Sequence, residues 1–307
     1  MDHTLATLSK FSEQEAREFL ESIRWPKGAD CAHCGSANVK KLGGEAAKQG
    51  LFKCRDCRNK FTVCVGTIFE DSHIPLRSWV LGFHMMCSSK KGYSAKQLQR
   101  NLGLKSYKSA WHMAHRIREA MKQGPFAGPL SGDVEADETY IGGRKIGQGV
   151  FAGKKAKAPV VSLVERGGNV RSFHVPDVTA ENLKPIIAEH VNPGSRVNTD
   201  DAVVYRYALP EGVQHDVVNH SAKEYSRVEE GQLITTNTVE GFFSLLKRGV
   251  YGTFHNVSKH HLHRYLNEFD FRYNARKITD GERTALAIQG AEGKRLMYRD
   301  SNREVRN

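Results

Sequence analysis

Three acidic residues in the second half of the chain occupy settings where carboxylates could act on a phosphodiester. Asp137 lies on a predicted strand, Asp200 follows the end of another strand, and Glu240 lies on a predicted helix. Two Mg²⁺ ions about 3.5–4 Å apart can activate an attacking oxygen and stabilise a leaving one. Magnesium prefers hard oxygen ligands and keeps part of its water shell, so a few carboxylates suffice to hold it. The pattern therefore predicts a catalytic Mg²⁺ or Mn²⁺ site formed by these three residues.

The helix that carries Glu240 is predicted from two separate stripes of side chains. Its apolar stripe follows the spacing i, i+3, i+4, i+7 and consists of Val239, Phe242, Phe243 and Leu246. A second, polar stripe puts Lys247 two turns after Glu240 on the same side of the helix. We expect Lys247 to neutralise phosphate charge beside the carboxylates, and Arg248 to contact DNA.

Other polar residues compete for roles near these acids. Asp201 is an alternative to Asp200, because neighbouring residues on a strand point to opposite faces and only one can face the ions. Glu135 shares a strand face with Asp137 and could be an auxiliary acid, although a salt-bridge or surface role is the simpler interpretation. His220 is a candidate for phosphate contact or a structural residue. Four histidines without metal-ligand spacing are predicted to be solvated or to face DNA: His255, His260, His261 and His263.

Four of the six cysteines form two pairs with the spacing of a metal site, C-x₂-C, nineteen residues, C-x₂-C. These residues are Cys31, Cys34, Cys54 and Cys57. Four thiolates complete a zinc tetrahedron without an open position, so the predicted zinc is structural. The alternative is four cysteines that bind nothing. Cys64 belongs to no pair and is predicted to be a core residue.

Between the cysteines and the acidic half, the pattern favours a helix-turn-helix. A short helix over 94–102 is followed by Gly103, and a second helix runs from 106 to about 121 with Ala110, Met113, Ala114 and Ile117 on one face. Such a motif places its second helix in the major groove, with cations on the flanking phosphates. The predicted DNA-binding cations, outside the apolar stripe, are Lys105, Lys108, Arg116 and Arg118. An ordinary helical hairpin with a solvated basic face is the alternative.

The elements around these residues predict a fold of several parts. The pattern predicts a strand around Asp137, a hairpin over 160–175 and a helix near 183–187. It also predicts short strands before Asp200 and near 217–218, followed by two closing helices at about 237–247 and 258–273. Strands followed by alternating strands and helices favour a mixed α/β sheet flanked by helices. The predicted parts are an N-terminal helix at 1–27, a zinc ribbon at 28–70, the helix-turn-helix region at 74–124, a catalytic domain at 130–280 and a C-terminal tail at 281–307.

Composition narrows the class of partner. Lys plus Arg is 46 against 34 for Asp plus Glu, so the formal net charge is +12, and an excess of this size favours a polyanionic partner, most often nucleic acid. A hydrophobic content of 39% argues against wholesale disorder. Neither a transmembrane run nor a secretory signal is visible, so we expect a cytoplasmic, nucleoid-associated protein of a bacterium without a membrane partner.

Several segments resemble the insertion-sequence DDE transposases of the ISXO type that carry an N-terminal zinc ribbon. In the acidic half these are DETYIGG at 137–143, TDDAVVY at 199–205 and NTVEGFFSLLKR at 237–248. Also similar are LRSW at 76–79, HNVSKHHLHRYLNEFDFRYNARK at 255–277 and GKRLMYR at 293–299. The resemblance covers nearly the whole chain.

The resemblance implies an RNase-H-like catalytic domain whose DDE triad is Asp137, Asp200 and Glu240, with Lys247 seven residues after the glutamate. It also implies hydrolysis at transposon ends to give a 3′-OH, which then attacks target DNA. The expected partner is double-stranded DNA, both inverted-repeat ends and target. Because two ends must meet, we expect a homodimer or a higher oligomer on DNA.

Two other functions remain open at this level. A zinc-ribbon DNA-binding regulator without catalysis explains the charge, the cysteines and the helix-turn-helix, but not the two stripes around Glu240. A metal-dependent nuclease that cuts without strand transfer is barely separated from a transposase by sequence.

Overall fold

The computed structural model of the chain describes residues 3–122, 126, 128–142 and 157–299. The chain forms two compact units, one of Met1–Gly124 with Ala275–Asn307 and the other of Pro125–Asn274. We call them the terminal unit and the central unit. Gly124 and Pro125, at the end of the predicted helix-turn-helix region, and Gly143, the last residue of the DETYIGG segment, lie outside the described residues.

The terminal unit begins with helices that start at side-chain caps. Helix α2 (Glu13–Arg24) starts after Ser12, whose hydroxyl accepts from the Glu15 N–H at 3.2 Å, while the Glu15 carboxylate accepts from the Ser12 N–H at 2.7 Å. This reciprocal pair stabilises the helix start, because it satisfies two N–H groups that a helix leaves unpaired. The first helices are α1 (Leu5–Leu8), α2 (Glu13–Arg24) and α3 (Glu45–Lys48).

A small antiparallel sheet carries the cysteine pairs. Its strands, in spatial order, are β1 (Val39–Lys41), β2 (Phe52–Cys54) and β3 (Lys60–Phe61). One face of this sheet is apolar: the rings of Phe52 and Phe61 stack at 5.5 Å, and the Trp25 ring contacts both. The ribbon therefore has its own small core on the side of Trp25.

Three helices follow, with breaks where the sequence predicts them. They are α4 (Leu76–Ser88), α5 (Ala95–Asn101) and α6 (Tyr107–Ala120). Gly103 between α5 and α6 has φ of +63°, a conformation that costs glycine least because it has no Cβ. The four residues predicted for the inner face of α6 are all buried.

The segment that the sequence analysis set apart as a tail contains a packed helix, α11 (Asp280–Gln289). Thr284 Oγ1 lies 3.1 Å from His84 Nδ1, and Arg283 donates to the Cys87 carbonyl oxygen at 3.0 Å. Small side chains such as Thr284 and Ala287 form much of its buried face, so its apolar periodicity is weak. The described part of 281–299 therefore belongs to the terminal unit, while 300–307 lies outside the described residues.

The central unit is built on a five-stranded mixed sheet with the order β6-β5-β4-β7-β8. Strands β6, β5 and β4 pair antiparallel with their neighbours. Strand β7 pairs in parallel with β4, and β8 pairs in parallel with β7. The strands are β4 (Asp133–Ile141), β5 (Ala158–Glu165), β6 (Val170–His174), β7 (Arg196–Thr199) and β8 (Gln214–Val217). The helices are α7 (Ala180–His190), α8 (Val204–Ala208), α9 (Asn237–Gly249) and α10 (Lys259–Asn274). The predicted RNase-H-like mixed sheet flanked by helices is confirmed.

Helices cover both faces of this sheet, which gives two apolar layers. Val134 and Ala136 of β4 pack with α7 and α8 on one face, and Ile141 packs with α9 and α10 on the other. Because side chains alternate along a strand, Glu135 and Asp137 lie on the face of α9. Central β4 thus presents acids to the helix that carries Glu240.

A short hairpin between β8 and α9 was not predicted. Its strands are β9 (Ser226–Glu229) and β10 (Gln232–Thr235), and only the second half of β10, Ile234 and Thr235, is buried. These four-residue strands, SRVE and QLIT, are too short to show a clear apolar alternation, so the sequence signal is weak. Among the described residues, no helix has the length and apolarity to span a bilayer.

Candidate active site and zinc cluster

Asp137 is a buried acid surrounded by other acids. It lies near the middle of β4, and its carboxylate accepts the N–H of Glu138 at 2.7 Å. Burial raises the pKa of Asp137 to about 7; the Glu138 N–H opposes this, and the charges of Glu138, Asp200 and Glu240 add to it. The carboxylates of the three predicted acids therefore interact electrostatically at one place in the central unit.

Asp200 reaches this place through the pairing of parallel strands. The ladder of β4 and β7 pairs Glu135 with Asn198, and Asp200 follows Asn198 by two residues as Asp137 follows Glu135. The Asp200 carboxylate accepts the N–H of Ala202 at 3.1 Å. Its charge also raises the pKa of Glu138, after the larger effect of burial.

Asp201, the alternative second acid, has a different partner. The Ser221 hydroxyl donates to its carboxylate at 2.6 Å and lowers the pKa of Asp201. These contacts favour Asp200 as the acid that faces Asp137.

Glu240 extends from the first turn of α9 toward solvent, with 47% of its side chain exposed. Its carboxylate lies 3.4 Å from Nε2 of His220 and 3.4 Å from the hydroxyl of Thr236. The same His220 nitrogen lies 3.2 Å from that hydroxyl. His220 therefore adjoins the third acid, and its contact with phosphate stays a prediction.

The first turn of α9 is held by Glu135 rather than by its own cap residue. Thr236 precedes the helix without making a side-chain cap hydrogen bond. The Glu135 carboxylate instead accepts the N–H groups of Thr238 and Val239, at 2.7 and 3.0 Å, and the Thr238 hydroxyl at 2.8 Å. A negative charge at the first turn also suits the helix dipole. Glu135 thus fastens the helix of Glu240 to the strand of Asp137.

Arg166 neutralises Glu135. Its Nε and Nη2 atoms lie 3.2 and 3.1 Å from one oxygen of the fully buried Glu135 carboxylate. Arg166 also donates to Asp133 at 3.3 Å and to the Leu233 carbonyl oxygen at 2.9 Å. The salt-bridge interpretation of Glu135 is confirmed, whereas a surface position is excluded by its burial.

Glu138 and Tyr205 were missed by the sequence analysis. The Tyr205 hydroxyl donates to Glu138 at 2.8 Å, and burial raises the pKa of Tyr205 well above its usual value, as do the charges of Glu138 and Asp137. Glu138 follows Asp137 on β4 and so points to the other face of the sheet. Its position beside Asp137 was visible in the sequence, but its tyrosine partner was not.

Lys247 and Arg248 lie on the exposed side of α9, in its last turns. Arg248 donates through Nε to the Ser244 carbonyl oxygen at 3.0 Å. The polar stripe is therefore exposed and the apolar stripe buried, as predicted.

The four paired cysteines form a compact cluster. Their sulfur atoms lie within 4.8 Å of one another, with 3.6 Å between Cys31 and Cys57 and 3.7 Å between Cys34 and Cys54. A zinc tetrahedron with 2.3 Å metal–sulfur bonds has edges of about 3.8 Å, so the donor set fits a structural zinc ion.

The cysteine cluster is the one group of three or more His, Cys, Asp or Glu residues with this close spacing in the described chain. The carboxylates of Asp137, Asp200 and Glu240 are more widely spaced. None of the four histidines of α10 and the preceding loop joins such a group among the described residues.

The helix-turn-helix cations divide into two pairs. Lys105 and Lys108 are exposed, and the Lys108 ammonium lies 4.1 Å from the centre of the Tyr298 ring. Arg116 and Arg118, predicted to contact DNA, are instead buried, with 5% and 1% exposure. Arg116 donates to the Glu70 carbonyl oxygen. The prediction for both arginines is wrong because α4, α5 and α11 pack around α6 and leave little of its surface to solvent.

Comparison with known proteins gives two family matches and one curated relative. The ISXO2-like transposase domain matches residues 129–274, and the transposase zinc-ribbon domain matches residues 11–60. An uncharacterized protein in transposable element ISH50 of Halobacterium salinarum is 28% identical over 279 residues, covering 85% of this chain and 90% of that protein.

Among solved structures, a cryo-EM structure of a simian T-cell lymphotropic virus intasome in complex with PP2A regulatory subunit B56 gamma shares 14% identity. The match covers 56% of this chain and 67% of the other chain, and its TM-score of 0.28 is too low to show a shared fold.

Proposed function

Because this chain belongs to the transposases with an ISXO2-like domain and a transposase zinc ribbon, we propose that it is the DNA transposase of an insertion sequence. It hydrolyses a phosphodiester bond at each element end to give a 3′-OH. This hydroxyl then attacks a phosphodiester of target DNA, which joins the element to one side of the target strand and releases the other side with its own 3′-OH. The observation that carries this proposal is geometric: Glu135 fastens the first turn of the helix of Glu240 to the strand of Asp137, and the strand that leads to Asp200 pairs with that same strand.

The donor set fits divalent cations of the hard class. Carboxylate oxygens are the ligands that Mg²⁺ and Mn²⁺ take, and clustered acids with too few counter-charges form a site of excess negative charge. Asp137, Asp200 and Glu240 would hold the ions, which when bound activate the attacking oxygen and stabilise the leaving one.

The remaining residues position the DNA and the acids. Lys247 and Arg248 lie exposed on the helix of Glu240 and would neutralise phosphate charge. Glu135 and Arg166 hold the first turn of that helix against β4. Both reaction steps depend on positioning and charge neutralisation and need no covalent enzyme intermediate. Joining two ends favours a homodimer or a higher oligomer on DNA.

The test uses the purified full chain with Mg²⁺ or Mn²⁺ and labelled duplexes from both sides of its gene. Nicked ends that also join to a second duplex are the expected result, and Asp137→Asn should abolish both products while retaining DNA binding. Binding without nicking would indicate a regulator. Nicking without joining would indicate a nuclease, and either outcome would overturn the proposal.

A further inference from the structure

The zinc ribbon has one face made of cations. Its register pairs Lys40 with Lys53 and Lys53 with Lys60, so three lysines lie side by side across β1, β2 and β3. Directly paired residues of antiparallel strands share a face, and like charges in such pairs repel. Arg55 lies two residues after Lys53, and Arg58, with φ of +63°, lies in the second cysteine loop. We call these five residues the ribbon cation face.

These cations have no protein counter-charge. Within the described ranges, none of the five forms an ion pair, although the neighbouring Lys41, on the apolar face, binds Glu21 at 2.7 Å. The nearby carboxylate of Asp56 is occupied by Ser36 and Asn38. All five side chains are exposed, and four of them line one surface depression beside Cys54.

The opposite face of the ribbon sheet is apolar and cannot bind phosphate in this way. Phe52 and Phe61 pack there against Trp25, so the ribbon has one apolar side turned inward and one cationic side turned outward. A structural zinc held by the four cysteines would fix both the strands and the arginine loop. The cations are therefore preorganised on a small rigid sheet.

We propose that the ribbon cation face binds the phosphate backbone of double-stranded DNA at the ends of the element. A duplex carries one negative charge per about 1.7 Å of helix axis, which complements a row of unpaired cations. This inference rests on the proposed function, because it takes the transposase's own DNA as the ligand. The proposal assigns contacts with DNA phosphates to the ribbon, in place of the buried Arg116 and Arg118 for which the sequence predicted them.

The test measures binding of the full chain to a short fluorescein-labelled duplex from the DNA flanking the gene. No Mg²⁺ or Mn²⁺ is added, so cleavage does not enter, and KCl is varied between about 50 and 200 mM. The triple variant Lys40→Gln, Lys53→Gln, Lys60→Gln is compared with wild type. Its matched control, with the same loss of charge on other exposed residues of the terminal unit, is Lys10→Gln, Lys27→Gln, Lys48→Gln.

We expect the ribbon variant to bind at least about tenfold more weakly at 100 mM KCl, with a slope of log K against log salt reduced by about 2 to 3. The control should change neither value comparably. One zinc ion per chain and an unchanged melting temperature would show that the ribbon is folded, since removing opposed like charges does not destabilise the sheet.

Equal losses in the ribbon variant and its control would overturn the proposal. So would unchanged binding by the ribbon variant together with loss in Lys105→Gln, Lys108→Gln, which would assign the contact to the helix-turn-helix. A failure of the proposed function is distinguishable from both, because it leaves wild-type binding intact and removes only the nicked and joined products.

Discussion

The Glu135 carboxylate binds both the backbone N–H and the hydroxyl of Thr238, at 2.7 and 2.8 Å, and so joins the strand of Asp137 to the helix of Glu240. Two candidate metal ligands on different elements are thereby held by a third acid that lies between them. The position of Glu240 depends on this cap, because Thr236 makes no side-chain cap hydrogen bond of its own.

We predict that Glu135→Ala lowers the free energy of unfolding of the central unit by about 3 to 5 kcal/mol, because it breaks a buried ion pair and removes the cap of α9. Arg166 then keeps only Asp133 as a carboxylate partner. The milder Glu135→Gln should fold. It should nevertheless need a higher Mn²⁺ concentration for half-maximal strand cleavage, since Glu240 is less well positioned.

The matched control for this pair is Glu211→Gln, which removes one exposed carboxylate from the same unit. Cleavage assays across a Mn²⁺ titration, with urea unfolding alongside, provide the measurement. An unchanged Mn²⁺ requirement in the folded Glu135→Gln protein would contradict a positioning role.

Asp200 and Asp201 can be separated by one pair of variants. We expect Asp200→Asn to reduce cleavage at least about a hundredfold, because a ligand beside Asp137 is lost. Asp201→Asn, which loses only an exposed contact with Ser221, should remain within a few-fold of wild type. The measurement compares the cleavage rates of both variants on one labelled duplex. A larger loss of rate in Asp201→Asn than in Asp200→Asn would identify Asp201 as the second acid.

The cysteine cluster predicts a specific loss of metal. Cys54→Ser should release the zinc and unfold the ribbon, because a structural site needs all four thiolates. Zinc per chain, measured by atomic emission, should fall from one to near zero, with a change in Trp25 fluorescence as Phe52 and Phe61 move away. Cys64→Ala, outside the cluster, should keep its zinc. Full zinc content in Cys54→Ser would rule out the four-cysteine site.

Asp270 gives the central unit a dependence of stability on pH. Burial raises the pKa of Asp270 to about 7, against the hydrogen bonds from the Ser172 N–H and hydroxyl and the charge of Arg171. Because the folded state then keeps a proton that the unfolded state has lost, stability is full below about pH 4 and falls as pH rises to about 7. The slope is at most about 1.4 kcal/mol per pH unit, because the folded and unfolded states differ by a single proton at this residue.

Asp270→Asn should remove this dependence, because the neutral amide can replace the protonated acid at Ser172. Hydrogen exchange of peptides from β6 at pH 5, 6 and 7 follows the central unit, which contains no tryptophan. Parallel pH profiles for the variant and wild type would show that Asp270 does not titrate in this range.

Local patterns were sufficient for much of this protein. The spacing of Cys31, Cys34, Cys54 and Cys57 predicted the cluster, since two short loops suffice to bring paired cysteines together. The apolar stripe of Val239, Phe242, Phe243 and Leu246 predicted which side of α9 is buried, because helical period alone decides which residues share a face.

Sequence patterns failed where side chains from several elements decide whether a residue is buried and which partner it contacts. Arg116 and Arg118 lie outside the apolar stripe of α6, yet packing by three other helices buries them. The ribbon cation face was missed because its lysines are neighbours only through strand register. The tyrosine partner of Glu138 was missed because α8 lies 67 residues further along the chain.

The amino-acid sequence by itself therefore determined the elements, the cysteine cluster and the family, since these depend on short-range periodicity and on segments read in order. Only the tertiary structure decided that Glu135 caps the helix of Glu240, that Asp201 binds Ser221, and which cations reach solvent. The physical reason is that burial and electrostatic environment belong to sets of residues from different elements, and strand pairing and helix packing alone bring such residues together.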